Sequence, residues 1–261
     1  IFSCYLFAGL IFAPLFFILI YMLNKGLSAM SISLFLELPK PVGEVGGGLS
    51  NAIVGTIELI IIASLLSIPL GVMMGVFLVE YKNSALGNLL RLSMDVLHGI
   101  PSIVIGIIAY LWIVVPSGYF SAFSGGVALA MMMLPIIART TEETMKLIPH
   151  SIKEASLALG VPYYRTIRKV ILRSAIGGVL SGVVLSVARI AGETAPLLFT
   201  AFGNSFMAIN PLKPIQALPL IIFNYAMSPY EDWQLLAWGA ALLLIIFIFM
   251  LSLITKVMIK S

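Results

Sequence analysis

"AIVGTIELIIIASLLSIPLGVMMGVFL", residues Ala52 to Leu78, runs for 27 residues with a single charged side chain, Glu58. A helix crossing about 30 Å of hydrocarbon needs roughly 20 apolar residues, so this stretch is long enough to span a bilayer. Five further stretches qualify or nearly qualify: about Phe2–Leu23, Ile100–Val115, Ala122–Ala138, Ala175–Phe202 and Leu235–Lys256. Composition agrees. The 261 residues are 61% hydrophobic and 10% charged, with a mean hydropathy of +1.11. A soluble domain is nearer half apolar and about a quarter charged. The expected fold is all-α: a polytopic membrane protein with six transmembrane helices forming one domain over 1–261, with its core over about 47–256.

The opening run Ile1–Leu23 is too long for a signal-peptide core and is read as the first span, while a short N-terminal stretch is expected to precede Ile1. Orientation follows from the basic residues. The segments Glu80–Gly99, Arg139–Ser174 and the C-terminal tail together hold 11 Lys and Arg, against Lys25, Lys40 and Lys213 in the other loops. The excess of basic residues on the cytoplasmic side places 139–174 and both termini inside the cell. The net charge of +4 thus needs no nucleic-acid partner. The single Cys4 excludes an internal disulfide and reads as lipid- or protein-facing filler, and His98 and His150 lack metal-site spacing. Segment 203–234, with Pro211, Pro214, Pro219 and Pro229, is expected to form a non-spanning extracytoplasmic cap anchored by Tyr230 and Trp233. "GEVGGGLSN", 43–51, reads as a flexible lead-in whose Ser or Asn caps the second span.

"VARIAGETAPLLF", Val187 to Phe199, places Arg189 and Glu193 one helical turn apart inside the fifth span, near mid-bilayer. A central Arg or Asp costs about 2.5 to 3.5 kcal/mol on insertion scales, so the pair is expected to face the bundle interior or a polar cavity. Gly178 and Gly182 are at the spacing that lets a neighbouring helix approach closely. Gly192 and Pro196 loosen the helix beside the charges, and Thr194 offers a hydroxyl to freed backbone or to substrate. Two readings stand. In one, Arg189 and Glu193 neutralise each other and lock the bundle. In the other, Arg189 is an anion ligand held by Glu193, since a guanidinium fork donates paired hydrogen bonds and stays charged. Glu58, the other intramembrane charge, is expected to snorkel or to be hydrogen-bonded locally, with pairing to a pathway cation as the alternative.

Between spans four and five, Ser151 and Glu154 have the spacing of a capping box opening a short helix, and Gly160 is placed to end it in left-handed geometry. By periodicity alone this is a solvated amphipathic loop at the membrane surface. "EASLALG", 154–160, resembles the EAA loop of ABC importer permeases: Glu154, Ala155 and Gly160 match, Ser156 replaces the second Ala, and Arg173 replaces the terminal Pro. "NAIVGTIELI", "IPLGVMMGVFLVEY", "LHGIPSIVIG", "ARIAGETAPLLFTAF" and "ALPLIIFNYAMSPYEDW" are similar, in the same order, to the PstA family of phosphate-importer permeases.

That resemblance implies a MetI-like permease bundle in the inner membrane, with 139–174 as the cytoplasmic coupling loop and Glu154, Ala155, Ser156 and Gly160 docking an ATPase. It implies a second permease of the PstC type, ATPase subunits of the PstB type and an extracytoplasmic phosphate-binding protein of the PstS type. The chain has no G-x-x-x-x-G-K-[ST] loop, so ATP chemistry is expected on another chain, with no cofactor and no enzymatic step here. Molybdate, tungstate or sulfate stay open as substrates, because charge alone does not separate them. A stand-alone channel would not need a coupling helix, and an intramembrane enzyme would need a nucleophile and base at membrane depth.

Overall fold

The computed structural model describes residues 2–44 and 46–260, with side chains for these except at 2–6, 8 and 258–260; the reading of Cys4 therefore lies outside the described residues. The described chain is mostly helical, with an isolated bridge between Phe202 and Ile215. In order, the helices are α1 (Phe2–Ala29), α2 (Ile32–Leu36), α3 (Ser50–Glu80), α4 (Ala85–Gly99) and α5 (Ser102–Ser117, π-helical over Tyr110–Val114). They continue as α6 (Ala122–Lys146), α7 (His150–Ala158), α8 (Tyr163–Ser174, π-helical over Thr166–Ile171) and α9 (Ile176–Ala191). The last three are α10 (Ala195–Thr200), α11 (Leu218–Ala226) and α12 (Glu231–Lys260). Among the described residues α1, α3, α6 and α12 are each long and apolar enough to cross a membrane. Two bent pairs supply the other spans: α4 with α5 at 108°, and α8 with α9 at 66°. The expected six-span, all-α bundle is the one observed.

α3 and α6 form the centre of the packing. Leu59, Ala63, Leu129, Met133 and Ile137 are buried between them and their neighbours. Lipid tails are as apolar as these side chains, so helix association in a bilayer rests on close fit rather than on water exclusion. Gly178 and Gly182 provide that fit for α9, as their spacing predicts. A Cβ on Gly182 would lie 1.9 Å from Thr140 Oγ1, and one on Gly178 would lie 2.3 Å from Thr144 Cγ2, so any side chain there would push α9 off α6.

Hydrogen bonds and ion pairs gather the loops at two ends. At one end, Ser121 N–H donates to Thr200 O (3.1 Å), Ala122 N–H to Lys213 O (2.9 Å) and Asn51 Nδ2 to Asn204 O (2.7 Å). At the other, which carries most of the basic residues, Arg91 reaches Glu142 and Lys153 reaches Glu80. Two of the segments grouped by the sequence, 80–99 and 139–174, do share an end.

Several expectations are corrected. Residues 85–99 are not a simple loop but the amphipathic helix α4, with Ser84 accepting from Gly87 N–H as its N-cap. The fifth span is not continuous to Phe202; it stops at Ala191 and restarts at Ala195. Segment 203–234 is not a surface cap along its whole length. Ile215, Ala217, Leu220 and Ile221 are buried in the bundle, and Gln216 O would lie 2.0 Å from a Cβ on Gly55. The Gly-rich 43–51 lead-in is packed rather than free: a Cβ on Gly48 would lie 2.3 Å from Ser33 O. Neither Ser50 nor Asn51 caps α3. Ser50 Oγ donates to Glu37 O, and Leu49 occupies the cap position without a side-chain bond.

Candidate functional site

Arg189 occupies the last turn of α9, thirteen residues beyond Ile176, about 20 Å along the axis at 1.5 Å per residue. Glu193 lies past the end of that helix, in the Gly192–Thr194 break. The two still approach, with Arg189 Nε 3.9 Å from Glu193 Oε1. That distance is beyond a hydrogen bond, and among the described residues the guanidinium donates to nothing else. Thr194 Oγ1 stands 3.5 Å from Pro219 O on α11, a long contact at best. Arg189, Glu193 and Thr194 are thus brought together at a helix break, where freed backbone groups add to the polarity.

Arg189 does not point into this chain's packed interior, which leaves the polar cavity of the two surroundings expected for it. Its side chain is 43% exposed, against 20% for Glu193. Ser181, Leu185 and Arg189, spaced by four, are all exposed and form a face of α9 that none of the described residues covers. A cation against acyl chains is costly, so the face calls for a covering surface that the described residues do not supply.

Glu58 is placed differently from expectation. Eight residues into α3, about 12 Å from its start, both carboxylate oxygens are buried and neither has a hydrogen-bond partner. It neither snorkels nor bonds locally, and it makes no ion pair with Arg189. A buried carboxylate without a partner is destabilising if charged.

At the basic end the structure adds a cluster that sequence reasoning missed. The Glu142 side chain is fully buried; its Oε1 accepts from Arg91 Nε (3.0 Å) and Lys146 Nζ (2.6 Å). Arg91 also donates to Leu78 O, Lys82 O and Asn88 Oδ1, so it pins α4 to the ends of α3 and α6. The i,i+4 spacing of Glu142 and Lys146 was a visible signal. The Arg91 partner, 51 residues away, was not. Beside the cluster a cavity of about 350 Å³ opens between α4 and α6, with Asp95, His98, Arg139 and Thr140 in its wall. No group of His, Cys and acidic residues suited to a metal occurs among the described residues.

The coupling loop has a defined shape. α7 begins at His150 with Pro149 at its cap position and no side-chain cap bond, so the Ser151–Glu154 capping box does not form. Glu154 instead lies 3.7 Å from His150 Nδ1, both well exposed. Gly160 has φ +76°, the left-handed value its place after the helix requires. Glu154, Ala155 and Gly160 lie on the exposed side. Ser156 does not: it is buried and hydrogen-bonded to Thr166 of α8 at 3.0 Å, holding the two helices together. Lys153 Nζ donates to Glu80 Oε2 (2.6 Å) and Tyr163 OH (3.0 Å), and Tyr163 OH donates to the same Glu80 carboxylate. Burial opposes the Lys153 charge. Its bonds to Glu80 and Tyr163 and the carboxylate's field outweigh that and hold its pKa above the ordinary lysine value.

Residues 67–261 match the family described as "Binding-protein-dependent transport system inner membrane component". The chain belongs to this family. Among its relatives, the phosphate transport system permease protein PstA of Yersinia pestis is 43% identical over 244 residues, 93% of this chain and 83% of that one. The probable phosphate transport system permease protein PstA of Methanocaldococcus jannaschii is 38% identical over 234 residues, 89% of this chain and 83% of that one. Among solved structures, an inward-facing form of the MetNI methionine ABC transporter superposes with a TM-score of 0.61 at 19% identity, covering 80% of this chain and 95% of its counterpart. The permease is therefore a multi-pass membrane protein with the MetI-like bundle.

Proposed function

We propose that the chain is the permease subunit of an ATP-driven phosphate importer and forms half of its translocation path. One observation carries this reading: Arg189, about 20 Å along α9, lies on a face of that helix that the described residues leave uncovered, and among them it donates no hydrogen bond. A second permease, of the PstC type, covers that face and closes the path between the two chains. A PstS-type binding protein delivers phosphate at the 203–234 end. PstB-type ATPase subunits dock on α7 through Glu154, Ala155 and the turn at Gly160. Both termini and the basic end are cytoplasmic, by the excess of Lys and Arg there. The names of the relatives support phosphate as the cargo.

The chemistry of the pair fits that cargo. A phosphate at neutral pH carries both ionised oxygens and at least one P–OH. The Arg189 fork takes the ionised oxygens, while Glu193, 3.9 Å from Nε, accepts from the P–OH. A fully ionised oxyanion such as sulfate meets the carboxylate with no proton to share and is repelled. Because Glu193 neutralises part of the guanidinium field, the anion is held weakly enough to leave. The chain makes and breaks no covalent bond; it changes which end the site opens to.

The test is labelled phosphate uptake by the reconstituted complex, with sulfate and molybdate as competitors. Phosphate uptake that neither competitor blocks is expected for wild type, and Glu193→Gln is expected to let sulfate compete. Uptake of sulfate in preference to phosphate by the wild-type complex would overturn the assignment of cargo.

A further inference from the structure

Arg165, Arg168, Lys169 and Arg173 are all exposed on α8, whereas Thr166, Ile167 and Ile171 of the same helix are buried. The buried set packs with Met145, Ala175 and Val179, so the helix shows one side to the bundle and a cationic side to its surroundings. No Asp or Glu occurs between Glu154 and Glu193. Among the described residues none of the four cations has a carboxylate within ion-pair distance. Arg165 is engaged only by its neighbour, donating from Nε to Tyr164 OH at 2.9 Å.

The position of this face matters as much as its charge. α8 meets α9 at 66° with one residue between them, so it lies toward the membrane plane where the span begins. Tyr163 and Tyr164 are exposed beside the cations, the placement favoured by aromatic rings at headgroup depth. Four cations on a helix in that plane match the phosphodiester groups of an anionic leaflet, which accept the forked donors of Arg.

We propose that the exposed face of α8 binds the headgroups of anionic phospholipids in the cytoplasmic leaflet. The proposal rests on the orientation given above, with the basic end inside. It adds a role for the lipid: Ser156 and Thr166 tie α7 to α8, so headgroups that hold α8 also fix the height of the coupling helix.

The experiment uses the assembled complex in nanodiscs of phosphatidylethanolamine, with and without phosphatidylglycerol. Native mass spectrometry counts the phosphatidylglycerol retained. The triple variant Arg168→Gln, Lys169→Gln, Arg173→Gln should lower retention at least about ten-fold, whereas Lys256→Gln, a cation at the same end, should leave it unchanged. Wild-type retention by the triple variant overturns the proposal. So does loss of the ATPase from that variant with lipid retention intact, which would mark the face as a dock for an acidic protein surface. Orientation is read separately, by labelling Leu159→Cys in a Cys4→Ser background with an impermeant maleimide. Labelling from the outer side of intact cells overturns the orientation, and the proposal with it, whatever the lipid count.

Discussion

Arg91 holds Glu142 at 3.0 Å and directs its other donors to Leu78 O, Lys82 O and Asn88, while Arg189 stands 3.9 Å from Glu193 and donates to nothing else described. Both pairs join the same two residue types, yet their surroundings give them opposite uses. Glu142 has no exposed side-chain surface and is locked by short contacts, so Arg91 is a clasp between helices. Arg189 is nearly half exposed beside a helix break, so its donors remain available to an anion. A pairing read from spacing says that two charges meet; only the count of remaining donors separates a fastener from a binding group.

The sharpest way to break this contrast is Arg189→Gln. Phosphate uptake should fall by two orders of magnitude or more, roughly what losing about 3 kcal/mol of anion stabilisation implies, while the complex still assembles. Arg189→Lys should recover only part, since an ammonium keeps the charge but not the fork. Normal uptake by Arg189→Gln would make the pair structural after all. Glu142→Gln comes next and should do the reverse. Removing one member of a buried pair costs about 3 to 5 kcal/mol, so thermal melting of the purified complex should shift down while any intact complex still transports.

A smaller effect is expected at Lys153. Lys153→Gln should weaken coupling several-fold, read as ATP hydrolysed per phosphate moved, because α7 loses its tie to the end of α3. Its raised pKa fixes the pH dependence. The stabilisation is fully present below the unfolded value of about 10.4 and is lost only as pH rises through the higher folded value. Coupling should therefore not vary across neutral pH on account of this contact, and a transition centred near pH 7 that disappears in Lys153→Gln would contradict it. The smallest change is expected for Glu58→Gln. Glu58 has no partner among the described residues, so neutralising it should leave melting within about 1 kcal/mol of wild type or raise it. A large loss would mean that a cation outside this chain meets it.

Much of the fold was legible, because apolar runs and basic loops are local signals that the bilayer reads one segment at a time. The six spans, the close approach at Gly178 and Gly182 and the turn at Gly160 all follow from residues near each other in the chain. What was not legible depends on contacts between distant residues. Arg91 and Glu142 are 51 positions apart, and burial of 215–221 under α3 and α12 turns a proline-rich stretch that looks exterior into core. Ser151 and Glu154 have the spacing of a capping box, but Pro149 fixes the entry to α7 two residues earlier, so the box has no place. Arg189 lies on a face of α9 that the described residues leave open, which its spacing to Glu193 does not reveal. Periodicity fixes the angle between residues on a helix, not which side of the molecule will be left bare.

That bare side of α9 has a consequence for how the cell must make the protein. A copy produced without its counterpart would present Arg189 to hydrocarbon, an unfinished wall in an oily medium. Such orphans should drift toward destruction or toward wrong associations, which favours synthesis of the two halves in matched amounts. The guanidinium proposed to receive the anion would then also mark a lone chain as incomplete.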